Sequence, residues 1–320
     1  MSLPRLLSLR SFRCVAAIAL ACLSLNSLSS TAAENLHSQR RFIDGFDRSV
    51  LIVEAPQRIV TIFSSNAEIV AALGLQSRIV GIDALTRYPP EILDRPRVGG
   101  RLGMSIDAIV AQRPSLVLMT PARQAYQQLA EPLARLDVPV VVLLSRSLDE
   151  VLDNIRLVAR ICGVDQRGVE LATSLNQRLQ RVYSQQSAQT ALRVVTITGV
   201  VGNGMVSIVN DRSYTGEALR AAGTVPALDL PGGWTQVSPE AIWRADPDVL
   251  LFAGDIDQFK ELVQRPGWVS MRAVRYGKTL TISRGSFLIP GPRTFDGIEQ
   301  LAGQLRELFK VYGAAPSDQL

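Results

Sequence analysis

Arg58-Ile-Val-Thr-Ile-Phe63 and Arg193-Val-Val-Thr-Ile-Thr198 spell nearly the same strand twice, 135 residues apart. Each is a short β-branched run, the pattern of a buried strand. A second pair follows in the same order. Ser105-Ile-Asp107-Ala108-Ile109 and then Pro114-Ser-Leu-Val-Leu118 match Ser238-Pro-Glu240-Ala241-Ile242 and then Pro247-Asp-Val-Leu-Leu251, 133 residues on. Both copies read as a capped helix, a proline stop and a buried strand, with Ser105 and Ser238 as N-caps and Pro239 at the first helical position. A third pair, Val140-Val-Val-Leu-Leu-Ser145-Arg146 and Thr279-Leu-Thr-Ile-Ser283-Arg284, is offset by 139. One matching strand is easily coincidence, whereas three in one order describe a duplicated unit. The sequence therefore predicts two homologous α/β lobes, each with a mainly parallel sheet.

Between the copies the pattern turns helical. Ser147-Leu-Asp-Glu150 fits a capping box, helix runs to about Ile161, and Gly163 suits its stop. Asp165 caps a second helix, in which Val169, Ala172, Leu175, Leu179, Val182 and Tyr183 recur at helical spacing. About 20 residues at 1.5 Å each make a rod of ~30 Å. A single helix as the covalent link implies a stiff hinge. The expected divisions are 1–33, a signal peptide; 34–147, an N-terminal lobe; 148–188, linking helices; and 189–320, a C-terminal lobe.

The leader assignment rests on Arg5, Arg10 and Arg13 ahead of an apolar stretch from Cys14 to Leu25, with Thr31-Ala32-Ala33 before Glu34. Cys22 offers a lipoprotein alternative, but Ala19 at its −3 position fits a lipobox poorly, so a soluble periplasmic product is expected. Apart from the leader, no hydrophobic run reaches the ~18–20 residues of a spanning helix. Removing three arginines from 34 basic residues leaves 31 against 29 acidic ones. So small a net charge, with no interleaved aromatics, gives no case for nucleic acid. Cys162 is then the one remaining cysteine, so no internal disulfide can form, and an apolar setting makes it a small core residue. The sole histidine, His37, falls near the predicted cleavage point, which removes Ser-His-Asp and Cys-His catalysis and His-rich zinc sites from the fold.

Ten motifs follow one another along the chain: Pro56-Gln-Arg-Ile-Val-Thr-Ile-Phe-Ser-Ser-Asn66-Ala-Glu68, Ala72-Leu-Gly74, Tyr88-Pro-Pro90, Val98-Gly-Gly100, Met104-Ser-Ile-Asp107, Ala222-Gly223, Gln236-Val-Ser-Pro-Glu240, Ala245-Asp-Pro-Asp248, Pro266-Gly-Trp268 and Gly291-Pro-Arg293. On these residues the chain, from roughly Phe42 to Leu308, resembles the periplasmic binding proteins of importers for vitamin B12, haem and ferric siderophores. The resemblance implies two Rossmann-like lobes bridged by one long backbone helix, with cargo held between them and handed to an ABC permease dimer in the inner membrane. It implies a monomer without an intrinsic cofactor, not an enzyme. It also implies that one acid on each lobe, Asp107 and Glu240, docks on permease arginines. An acid there also favours the helix dipole, and the first is Asp where the family usually has Glu.

Cleft candidates come from position. Ser64 and Asn66 follow the first strand, where α/β sheets place ligands, while Glu68 reads as the capping-box partner of Ser65. Arg87, Tyr88 and Arg101 occupy the loops before the Ser105 helix. Arg146 and Arg284 end the third strand pair, and arginines suit an anionic cargo. Trp234 stands at the spacing of a ligand-contacting tryptophan in vitamin B12 relatives, and Phe287 is a second aromatic. Trp243 and Trp268 read as packing. Leu85 and Leu102 replace two cleft aromatics of the B12 proteins, and Gly100 stands where many haem relatives have an axial tyrosine. Tyr88 and Tyr214 are the remaining phenolate candidates. A ferric siderophore, whose chelator fills the metal's coordination sphere, is thus favoured over cobalamin and haem. Two readings of another kind are a ligand sensor and an enzyme on the same two-lobed fold. Nitrogenase-like subunits need several cysteines, and no Gly-x-Ser-x-Gly elbow is present.

Overall fold

The two copies of the repeated strand lie inside two separate sheets. The computed structural model describes residues 40–312 apart from 101–102, 121–122, 187–190, 202–203 and 231–234. The expected signal peptide, with Cys14 and Cys22, and His37 lie outside the described residues. A hairpin opens the described chain, β1 (Arg40–Ile43) with β2 (Ser49–Ile52). The first lobe is β3 (Ile59–Ile62), α1 (Ser64–Ala72), β4 (Ile79–Ile82), β5 (Gly99–Gly100), β6 (Gly103–Met104), α2 (Ile106–Ala111), β7 (Leu116–Met119), α3 (Arg123–Ala134) and β8 (Val140–Val142). Helices α4 (Leu148–Ile161) and α5 (Asp165–Gln186) lead to the second lobe. There follow β9 (Leu192–Val200), β10 (Val206–Ile208), α6 (Tyr214–Ala221), β11 (Thr224–Pro226), β12 (Thr235–Val237), α7 (Pro239–Ala245), β13 (Val249–Phe252), α8 (Ile256–Val263), α9 (Arg272–Arg275), β14 (Thr279–Thr281), α10 (Arg284–Phe287) and α11 (Arg293–Tyr312).

The first sheet runs β4-β3-β7-β8, all parallel. The second runs β12-β10-β9-β13-β14, with β11 also on β9; β10 and β12 are antiparallel additions to a parallel frame. The duplication holds to the residue. Ile59 pairs with Leu116 as Val194 pairs with Val249, and Val117 pairs with Val140 as Leu250 pairs with Thr279. Helix α1 ends at Gly74 (φ +74°) before β4, and α6 ends at Gly223 (φ +97°) before β11; glycine takes this left-handed turn without a Cβ penalty.

Helix α5 is 22 residues long, about 33 Å at 1.5 Å per residue. Its inner stripe is Ala172, Leu175, Leu179 and Val182, whereas Val169 and Tyr183, expected in that stripe, are exposed because they lie at its margins. Ser147 caps α4 as expected, its Oγ accepting from the Glu150 N–H at 3.1 Å; the Glu150 carboxylate reaches back to the Arg146 N–H instead of completing the box on Ser147. Gly168 brings α4 and α5 together: a Cβ there would lie 2.3 Å from the Ala159 Cβ.

Among the described residues, three apolar clusters form the core. One lies within the first lobe around Val60, Ile62, Val117 and Leu133, and one within the second around Ile197, Leu250, Phe252 and Trp268. The largest is shared: Ile59, Ile69, Val151 and Ile155 pack in one cluster with Val194, Leu219, Phe295 and Leu301. Lobes joined by a shared apolar cluster as well as by a helix resist wide opening. Cys162 is buried in this cluster, and burial pushes its thiol up to about 11 while Arg78 pulls it down. No described helix is long and apolar enough to cross a membrane.

Candidate ligand-binding cleft

The carboxyl end of β3 makes an unusual turn. Phe63, the N-cap residue of α1, has φ +84°, a conformation that strains a bulky side chain. Its N–H donates to the buried Asp83 carboxylate at 2.7 Å. Asp83 also accepts from the Leu85 N–H at 2.6 Å and the Thr86 hydroxyl at 3.0 Å. One buried acid thus pins two loops, and Phe63, Leu85 and Tyr88 remain exposed beside it (37%, 60% and 38%). The Tyr88–Pro89 bond is cis. Sequence reasoning passed over Phe63 and Asp83 as site residues. The signal for Phe63 was a large apolar residue directly after a strand's carboxyl end.

At the carboxyl ends of β9 and β13, one Arg284 nitrogen donates to both the Thr198 and the Ala253 carbonyls, each at 2.8 Å. The arginine itself is exposed. Arg293, at the start of α11, crosses between the lobes. It donates from Nε to Glu68 Oε2 at 2.9 Å and from Nη2 to Oε1, and its guanidinium carbon stands 4.0 Å from the Tyr88 ring centre. Glu68 is 1% exposed, and burial pushes its carboxyl above the usual range against the pull of Arg293. Burial lowers the Arg293 value, but the bonds to Glu68 outweigh it and raise it. These contacts bring the loop after β4 against the segment after β14, so the carboxyl ends of the two sheets converge. A groove of about 380 Å³ flanks the seam, lined in part by Glu68, Tyr88, Glu91, Pro292, Arg293 and Asp296.

Several expected cleft residues are placed elsewhere. Asn66 is fully buried: its amide donates to the Ile62 carbonyl at 2.7 Å and its oxygen accepts from the Thr120 hydroxyl at 3.2 Å. Phe287 is 2% exposed and belongs to the shared core, since α10 turns it inward while Arg284 stays outside. Tyr214 is 9% exposed, bonds the Thr294 hydroxyl at 2.6 Å and is raised by burial, so it is no phenolate candidate. Arg87 folds onto its own loop, donating to the Ala84 carbonyl at 2.6 Å. Arg146 forks onto Glu150 and lines a different groove, with Ile43, Asp44 and α4, so it does not mirror Arg284. Glu68 is structural, as expected, but by the inter-lobe pair and not by a capping box: Ser65 Oγ is buried without a hydrogen-bond partner among the described residues. Ser64 is buried, 3.5 Å from the Leu85 carbonyl. Arg101 and Trp234 lie outside the described residues. Trp268 is buried and packs edge-on against the half-buried Trp243.

Asp107 and Glu240 are exposed in the first turns of the equivalent helices α2 and α7. Ser105 caps α2 through the Ala108 N–H at 3.1 Å. Ser238 makes no such bond. Instead, the Glu240 carboxyl is held below its ordinary range by its own backbone N–H, the Ser238 hydroxyl and Arg244.

A two-lobed α/β fold whose sheets converge at their carboxyl ends is the architecture of a solute-binding protein. The sequence profile of the periplasmic binding proteins matches residues 59–284, and the chain belongs to that family. It is 25% identical over 270 residues, 81% of this chain and 83% of the relative, to the uncharacterized ABC transporter substrate-binding lipoprotein YvrC of Bacillus subtilis. The vitamin B12-binding protein of Pectobacterium carotovorum is 25% identical over 256 residues, 79% of this chain and 90% of the relative. Among solved structures, the apo periplasmic heme-binding protein RhuT of Roseiflexus sp. RS-1 superposes with a TM-score of 0.69 at 25% identity, covering 78% of this chain and 98% of that one.

Proposed function

We infer that this protein captures a metal chelate outside the cytoplasmic membrane and delivers it to an ABC importer, without chemical change. A ferric siderophore is the favoured cargo. The observation that carries the reading is the convergence of the two sheets' carboxyl ends. One end is an exposed apolar and aromatic wall, Phe63, Leu85 and Tyr88; the other is Arg284, tethered among the described residues through one nitrogen. A chelator that closes its own metal's coordination sphere asks only for surface contacts of these kinds, apolar faces for its carbon frame and a planar donor for its anionic edge. Asp107 and Glu240, one on each lobe, would meet the two permease subunits. The protein would be exported by residues 1–33 and act as a monomer. Cobalamin is the second reading, favoured by the similarity to the Pectobacterium protein.

The test is an equilibrium titration of the protein against an iron(III) trihydroxamate, an iron(III) tris-catecholate, cyanocobalamin and haemin. One iron chelate should bind with Kd at or below ~1 μM, about −8 kcal/mol. Binding of cyanocobalamin or haemin alone would replace the favoured cargo, and binding of none would remove the metal-chelate reading.

A further inference from the structure

We propose that Arg293 is a positioning residue: from the second lobe it fixes the Tyr88 ring that the first lobe presents to cargo, and so sets cargo affinity without touching cargo. The proposal rests on the reading of Phe63, Leu85 and Tyr88 as the cargo wall.

Three contacts hold the Arg293 guanidinium in one plane. Its Nε and one Nη nitrogen fork onto Glu68, whose carboxylate is 1% exposed and comes from α1 of the opposite lobe. Its other Nη nitrogen lies against the bare backbone of Gly285, where a Cβ would come within 2.8 Å. Its carbon stands 4.0 Å from the centre of the Tyr88 ring. A fork onto a carboxylate and a stack on an aromatic face can be made together only by a planar cation, and lysine cannot supply both. Tyr88 is 38% exposed, its hydroxyl makes no hydrogen bond among the described residues, and the guanidinium lies over the face of its ring, where it can orient it. Gly285 adjoins Arg284, the cationic element of the facing wall.

The test has two arms. In protein labelled with 3-fluorotyrosine, the Tyr88 fluorine signal is assigned by its loss in Tyr88→Phe. Arg293→Met should move that signal and Arg293→Lys should move it less, with circular dichroism showing that both remain folded. In the second arm, Arg293→Met should weaken binding of ferrioxamine B, an iron(III) trihydroxamate, by roughly tenfold and Arg293→Lys by less, with no further loss when Arg293→Met is added to Tyr88→Ala. If Arg293→Met does not fold, Arg293→Lys carries both arms. An unmoved Tyr88 signal, unchanged affinity, or a full additional loss in the Tyr88→Ala background overturns the proposal. Should the wild type not bind ferrioxamine B, the trihydroxamate reading fails, and the fluorine signal still decides whether Arg293 orients Tyr88.

Discussion

Glu68 shows how much a single residue's role depends on a partner far away in sequence. Ser65 and Glu68 have capping-box spacing, yet the glutamate is taken by Arg293, 225 positions later. Burial outweighs that arginine and raises the Glu68 carboxyl, as expected where desolvation exceeds the gain from pairing. A raised folded value means that this group favours the fold below its unfolded value, and that this contribution is lost as pH rises through the folded one. The thermal midpoint of the wild type minus that of Glu68→Gln should therefore fall as pH climbs from acid to neutral. A difference that grows with pH would mean that pairing dominates burial. Phe287 and Arg284 teach a related lesson. Three residues apart on one short helix, they point to core and to solvent, and no periodicity can be read over so short a stretch.

At the level of elements, the sequence was most legible where one local pattern was repeated. The three strand pairs appear in the structure at equivalent register, and the stop of α4 at Gly163 follows from residue type alone. The antiparallel strands β10 and β12 were not foreseen, because runs of three residues are too short to carry a readable period. The helix pair was foreseen, but its intimacy was not: Gly168 permits an approach that any side chain would block. Gly168→Val should lower unfolding free energy in urea by about 1–3 kcal/mol, the usual cost of overpacking. A variant as stable as the wild type would show that α4 and α5 separate without penalty.

Over the whole molecule, function follows from two sheets set so that their strand ends converge, with a shared core and an ion pair holding the arrangement. That architecture was legible because duplication is a property of order, and order survives substitution. The cleft was less legible because its residues are defined by burial. Asn66 and Tyr214 have the chemistry of ligand contacts but have partners inside the protein, while Phe63 becomes available only through the turn that Asp83 pins. The central claim is that cargo sits where these strand ends meet. Hydrogen–deuterium exchange with and without the best-bound iron chelate tests it most directly. Protection should concentrate at residues 63–64, 83–88, 253–255 and 283–286 and be absent from the groove lined by Arg146. Protection confined to that groove, or spread over the outer helices with none at the strand ends, would contradict it.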